Sequence, residues 1–213
     1  MADARPTVVL LHGLGRTHRS MAGLRQYIER LGYPTWSQSY PSRRAKIQDL
    51  AAEMAARIRA DLGDAPLVGV THSMGGILVR YMPALSWRGV VMLAPPNRGS
   101  LVASELARRR LYRWYLGPAG RDLAEGDGFP APPRPFAVIA GTRGASLGNL
   151  PSWFIAGMRL FPRGEAHDGT VLVSETRLEG MVGFAEVDAS HTFLMNHPEA
   201  RALVARFLAE SRF

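Results

Sequence analysis

The chain has 213 residues, 46% hydrophobic and 21% charged, with no cysteine and a formal net charge of +8 at pH 7. This length suits a single domain spanning 1–213 around one sizeable core, and the lack of cysteine excludes disulfides and a thiol nucleophile. All but one of the 26 basic residues are arginine, the exception being Lys46, in a chain also rich in Ala, Gly and Pro. The positive charge therefore reads as compositional skew. With no zinc-ligand spacing, RNA-binding signature or helix-turn-helix pattern, no nucleic-acid partner is expected.

Residues 7–11, Thr-Val-Val-Leu-Leu, are the unbroken apolar run of a strand buried on both faces. Residues 20–31 predict a helix, with Met21, Leu24, Ile28 and Leu31 on one stripe and Gly32 behind it. A short strand at 35–40 precedes Pro41. The clearest helix is 46–62, where Ile47, Leu50, Met54, Ile58 and Leu62 recur at three- and four-residue steps before Gly63. A strand at 67–70, a helix from 75 to about 82 and a strand at 89–93 follow.

Residues 97–135 are an insertion, helical around 101–116 and ending in Phe129-Pro130-Ala131-Pro132-Pro133. Strands at 136–140 and 185–188 and a helix at 198–211, opened by Pro198, complete the pattern. Between those last strands, residues 143–165 carry Leu147, Leu150, Trp153, Phe154, Ile155, Met158, Leu160 and Phe161 with almost no charge. Alternating strands and helices predict a parallel sheet covered on both faces, with ligands bound beyond the carboxyl ends of its strands. No apolar run reaches the roughly 18 to 20 residues of a membrane span. The N-terminus lacks the apolar region and cleavage site of a signal peptide, so a cytoplasmic location is expected.

The chemistry concentrates at Thr71-His72-Ser73-Met74-Gly75, a serine between a strand and a helix. This is the nucleophile-elbow pattern Gly-x-Ser-x-Gly with Thr71 in place of the first glycine. Small residues flank such a serine because bulky ones would strike the crossing helix and strand. Ser73 is the candidate nucleophile; its other reading is an ordinary strand-to-helix turn. A serine nucleophile needs a base and a site for the oxyanion. His12-Gly13-Leu14-Gly15, directly after the first strand, offers the N–H of Leu14 as one oxyanion donor, and the N–H of Met74 is the other. The same segment gives no Gly-x-Gly-x-x-Gly fingerprint, because position 18 is His18, so a dinucleotide site is disfavoured.

These segments, with Ala94-Pro95-Pro96-Asn97-Arg98-Gly99-Ser100, His167-Asp168-Gly169-Thr170-Val171 and Ser190-His191, make the chain resemble an α/β-hydrolase of the compact bacterial lipase/esterase kind. The resemblance covers nearly the whole length, in the order nucleophile, acid, histidine. It implies a mostly parallel sheet of about six strands with helices on both faces and little or no lid; residues 97–135 are the candidate small cap. It also implies Asp168 as the acid that orients His191, with Asp188 as the alternative, and His191 as the base for Ser73. His197 looks like a helix-start residue; His12 and His72 occupy supporting motif positions, and His18 and His167 read as surface residues.

The implied activity is hydrolysis of carboxylic esters through an acyl-enzyme on Ser73, without cofactor or metal, on a small-molecule ester or lipid. A phospholipid or glycolipid acyl hydrolase at a membrane surface, an acyltransferase or thioesterase using the same residues, and a non-catalytic binding protein are the alternatives. The apolar stretch 147–161 would either pack on the core or line an acyl groove or dock on lipid, and Arg108 to Arg113 would favour anionic membranes. No obligate protein partner is evident.

Overall fold

The computed structural model describes residues 5–126, 128–144 and 160–213. The predicted apolar segment 147–161 therefore lies almost wholly outside the described residues, and only its end at Leu160 and Phe161 falls within them. Six strands form one sheet: β1 (Thr7–Leu11), β2 (Thr35–Trp36), β3 (Leu67–His72), β4 (Trp87–Leu93), β5 (Phe136–Gly141) and β6 (Gly183–Val187). Every pairing is parallel, in the order β2-β1-β3-β4-β5-β6.

The apolar strand runs are explained by the two cores they feed. Alternate residues of β1 point to opposite faces. Val9 and Leu11 pack with α2 (Ile47–Leu62) and α3 (Met74–Leu78). Val8 and Leu10 pack with α1 (Ala22–Arg30) and α7 (Pro198–Glu210). Strands β4 and β5 alternate in the same way. Full burial of each such side chain contributes about 1.5–3 kcal/mol, so the double-sided apolar pattern fixes both layers.

Several boundaries differ from those predicted. Residues 37–40 leave the sheet because side chains take over their partners: Ser37 Oγ donates to Leu10 O at 3.3 Å, and the Tyr40 N–H donates to His12 Nε2 at 3.3 Å. Helix α1 starts two residues later than predicted, after a 3-10 turn at His18–Met21, and α3 tightens into another at Val79–Tyr81. The last strand ends at Val187, leaving Asp188 outside it. The insertion holds two helices, α4 (Leu101–Ala107) and α5 (Arg110–Glu125), the second broken at Gly117 (φ 68°) ahead of Pro118. A short helix α6 (Val173–Thr176) was not foreseen.

At the carboxyl end of β1 the buried His12 ring stacks on Tyr40, with centroids 3.9 Å apart. Its Nε2 accepts from Tyr40 N–H, so Nδ1 carries the proton and donates to Gly13 O at 2.9 Å. The Tyr40 hydroxyl donates to His12 O. The ring is thus neutral, and burial pushes its pKa down from 6.5 to about 4. One turn of chain away, Gly75 lies so close to β1 that a Cβ there would sit 2.5 Å from Leu11 O and 2.9 Å from His12 O.

Two outcomes are expected. Gly75→Ala forces backbone apart and should lower unfolding free energy by about 1–3 kcal/mol. Gly69→Ala meets only movable side-chain atoms at 3.2–3.5 Å and should cost less in the same denaturant titration. Below pH 6.5 the unfolded chain protonates His12 while the folded chain does not until about pH 4. Stability should therefore be complete above pH 6.5 and fall by about 3 kcal/mol through this histidine as pH drops to 4. His12→Gln should flatten that part of the profile; an unchanged slope would contradict the neutral buried ring.

Candidate active site

Ser73 sits between β3 and α3 at φ 53°, ψ −125°. A non-glycine residue in the left-handed region is strained by about 1–3 kcal/mol, and persists only where its surroundings dictate it. Here Ser73 N–H donates to Leu93 O at 2.8 Å, and Ser73 O accepts from Gly76 N–H at 2.8 Å. Missing side chains on three sides permit the turn. Gly75 passes under β1, and a Cβ on Gly13 would come within 3.0 Å of Ser73 Cβ. A Cβ on Gly76 would meet Pro95 Cβ at 2.8 Å and Thr71 Oγ1 at 3.4 Å. Thr71, fully buried in place of the usual glycine, is thus accommodated partly by Gly76.

The candidate base, His191, lies in the loop after β6. His191 Nε2 lies 3.0 Å from Ser73 Oγ, and His191 Nδ1 lies 2.6 Å from Asp168 Oδ2. All three side chains are buried. An ionised Asp168 accepts the Nδ1 proton, which leaves Nε2 as the acceptor facing the serine hydroxyl. The other Asp168 oxygen accepts from Thr170 N–H at 2.9 Å and Val171 N–H at 2.8 Å. The Asp168-Gly169 turn thus itself holds the carboxylate. The backbones join as well, with His191 N–H donating to Asp168 O at 2.9 Å. Gly141, at the end of β5, lets these loops close: a Cβ there would strike Ala189 O and Asp168 Cβ. Asp188, the alternative acid, lies outside this group. It is largely exposed and pairs with Arg143 at 2.6 Å, which holds its carboxyl below the usual range.

Two supporting residues emerge that the sequence marked only in part. His72 Nε2–H donates to His191 O at 2.9 Å, bracing the base from below. Burial, reinforced by the neighbouring His191 and Arg16, pushes its pKa well below 6.5, and its buried Nδ1 has no partner among the described residues. Glu175 of α6 accepts from Leu172 N–H at 2.9 Å and from Leu101 N–H at 2.6 Å, joining the Asp168 loop to the first turn of α4. Burial raises its pKa. No motif signals Glu175, because its partners are backbone groups 74 and 3 residues away.

Leu14 follows Gly13 against the elbow, and Met74 follows Ser73. Neither N–H donates to a protein acceptor among the described residues. Gly15 N–H is taken by Ser42 Oγ at 2.8 Å and Arg16 N–H by Gly13 O at 3.3 Å, so the loop keeps a turn that leaves Leu14 N–H unused. A cavity of about 710 Å³ opens over Ser73 and His191. Val102, Ala103, Leu106, Leu116 and Leu123 of the insertion form an apolar wall; Arg16, Thr17, Ser20 and Thr192 lie on the polar side. Residues of the insertion thus line the same cavity as the serine. His167 stacks on Phe161 at 3.8 Å and is not wholly at the surface, while His197 precedes α7 as expected. Among the described residues no three His, Asp or Glu side chains converge as a metal-ligand set.

No protein-family model matches the chain. The mouse protein SERAC1 is 32% identical over 81 residues, 32% of this chain. That match spans only 12% of the curated relative's length. Among solved structures, the metagenomic carboxyl esterase MGS0156 superposes with a TM-score of 0.68 at 20% identity, covering 99% of this chain and 77% of that one. Phospholipase PlaB from Legionella pneumophila superposes with a TM-score of 0.55 at 19% identity, covering 80% of this chain and 45% of its own. Sheet order, elbow and structural likeness agree: the chain has the α/β-hydrolase fold.

Proposed function

We propose that the protein hydrolyses carboxylic esters through an acyl-enzyme on Ser73. The observation that carries this reading is the continuous hydrogen-bonded chain from Ser73 through His191 to Asp168, buried at the floor of an open cavity. His191 Nε2 takes the hydroxyl proton as Ser73 Oγ bonds to the acyl carbon. The carbonyl electron pair moves onto oxygen, where the N–H groups of Leu14 and Met74 receive the developing charge. Collapse of the tetrahedral species breaks the bond to the leaving alcohol, which takes the proton from His191. Water then attacks the acyl carbon by the same route, releasing the acid and restoring Ser73. Asp168 stays ionised and stabilises the imidazolium in both halves. The likeness to MGS0156, a carboxyl esterase, supports this chemistry.

A second reading, action at a membrane surface, is favoured by one feature. Trp114 on α5 is 81% exposed, beside half-exposed Tyr115, and exposed Arg108, Arg109 and Arg110 precede it. An exposed aromatic beside a cationic run suits an anionic lipid interface. The same α5 contributes Tyr115 and Leu116 to the cavity, so a docked lipid would lie near the serine. Among the described residues no helix is long and apolar enough to cross a membrane, so such contact would be peripheral.

A fluorophosphonate probe should label Ser73 in the folded protein, and Ser73→Ala should abolish labelling and ester turnover. Asp168→Asn should lower kcat by about 10⁴-fold, whereas Asp188→Asn should leave it within about twofold. An unlabelled Ser73, or equal losses in the two aspartate variants, would refute the assignment. For the surface reading, sedimentation with vesicles of anionic lipid should recover the wild type and much less of Trp114→Ala. Equal recovery, or no recovery of either protein, would refute it.

A further inference from the structure

The cavity holds one cation that the hydrolytic mechanism does not use. Arg16 lies two residues beyond Leu14 and is the one arginine lining the cavity among the described residues. Its guanidinium is half-buried and among the described residues makes one hydrogen bond, from Nη2 to Thr192 Oγ1 at 2.9 Å. Thr192 adjoins the base His191. Guanidinium carries five N–H donors, and no carboxylate pairs with Arg16 among the described residues. Burial lowers its pKa. A desolvated, unpaired charge is costly to maintain in a protein interior. Buried Arg80 shows the contrast: it donates to the carbonyls of Asn97, Phe129 and Pro130, and lies outside the cavity.

We propose that Arg16 is a specificity residue that binds an anionic substituent, carboxylate or phosphodiester, carried by the ester substrate close to its scissile bond. The inference rests on the ester-hydrolase reading and narrows its substrate class. The apolar wall of the cavity takes the acyl chain, and the guanidinium takes the charge, so the favoured substrate is amphiphilic. Two parallel N–H donors from one guanidinium match either anion. The Thr192 contact fixes the fork beside the base without consuming its remaining donors.

The test separates binding from turnover. In the Ser73→Ala protein, affinities are measured for soluble dihexanoylphosphatidylglycerol against dihexanoylglycerol, and for 4-nitrophenyl glutarate against 4-nitrophenyl valerate. The anionic member of at least one pair should bind about tenfold or more tightly, consistent with a charge-assisted hydrogen bond. That preference should vanish in Ser73→Ala/Arg16→Met and return in part in Ser73→Ala/Arg16→Lys. Preference within the lipid pair alone identifies a phosphodiester; preference within the glutarate pair alone identifies a carboxylate. Equal affinity within both pairs, or a preference that survives Arg16→Met, overturns the proposal. Turnover with Ser73 intact reports on the parent reading: if no ester is cleaved, ester hydrolysis fails whatever the binding result. If Arg16→Met slows neutral and anionic esters equally, Arg16 serves the oxyanion loop and the specificity role is overturned.

Discussion

Ser73 adopts a backbone conformation that a serine resists, and the surrounding architecture is arranged to hold it there. At φ 53° the residue is strained, and only simultaneous contacts with β1, β4 and the loop after β4 keep it from relaxing. Those contacts need backbone, not side chains, at close range. Gly13, Gly75 and Gly76 therefore act together: each removes a Cβ that would push one neighbour away from the elbow. The result is a hydroxyl held rigidly at the end of β3, against which the base can be set.

The base and acid come from other strand ends and would scatter without connections of their own. A backbone hydrogen bond from His191 N–H to Asp168 O joins the two loops alongside the side-chain contact. His72 then ties the base loop to the residue preceding the nucleophile. Strand ends, elbow and base thus form one closed circuit. A change at Gly141 or His72 would therefore act on the placement of His191 against Ser73.

The readable parts of the sequence were those dictated by local rules. Two-sided apolar runs announced β1, β3, β4 and β5, because a buried parallel strand cannot tolerate polar alternation. The elbow was legible despite Thr71, and the structure locates a partner for that departure in Gly76. Ser73, Asp168 and His191, which the resemblance marks by their order along the chain, are brought together by the structure. Edge strand β2 was overestimated because pattern alone does not reveal side chains, such as Ser37 and the His12 ring, capturing its backbone. Arg16 and Glu175 were missed for a related reason: their meaning lies in what they face across the fold, and neither belongs to a repeating pattern.

The insertion's anchoring bears on how the cavity can select substrates. Arg80, buried and with its pKa lowered to about 10, stays charged and holds the carbonyls of residues 97, 129 and 130. Glu175 holds the start of α4. At the break in α5, Gly117 packs so tightly on the backbone of Arg43 that a Cβ would overlap its carbonyl oxygen. The apolar wall is therefore fixed at three points by groups that are expensive to strip of their partners. A wall held this way sets the width available to an acyl chain. Leu14, on the loop that also carries Arg16, packs against that wall, so under the proposed chemistry loop and wall together would orient the ester before reaction begins. Orientation of this kind lowers the barrier by bringing the reacting groups together in advance. Chain fit and charge placement are consequently two readings of one geometric constraint.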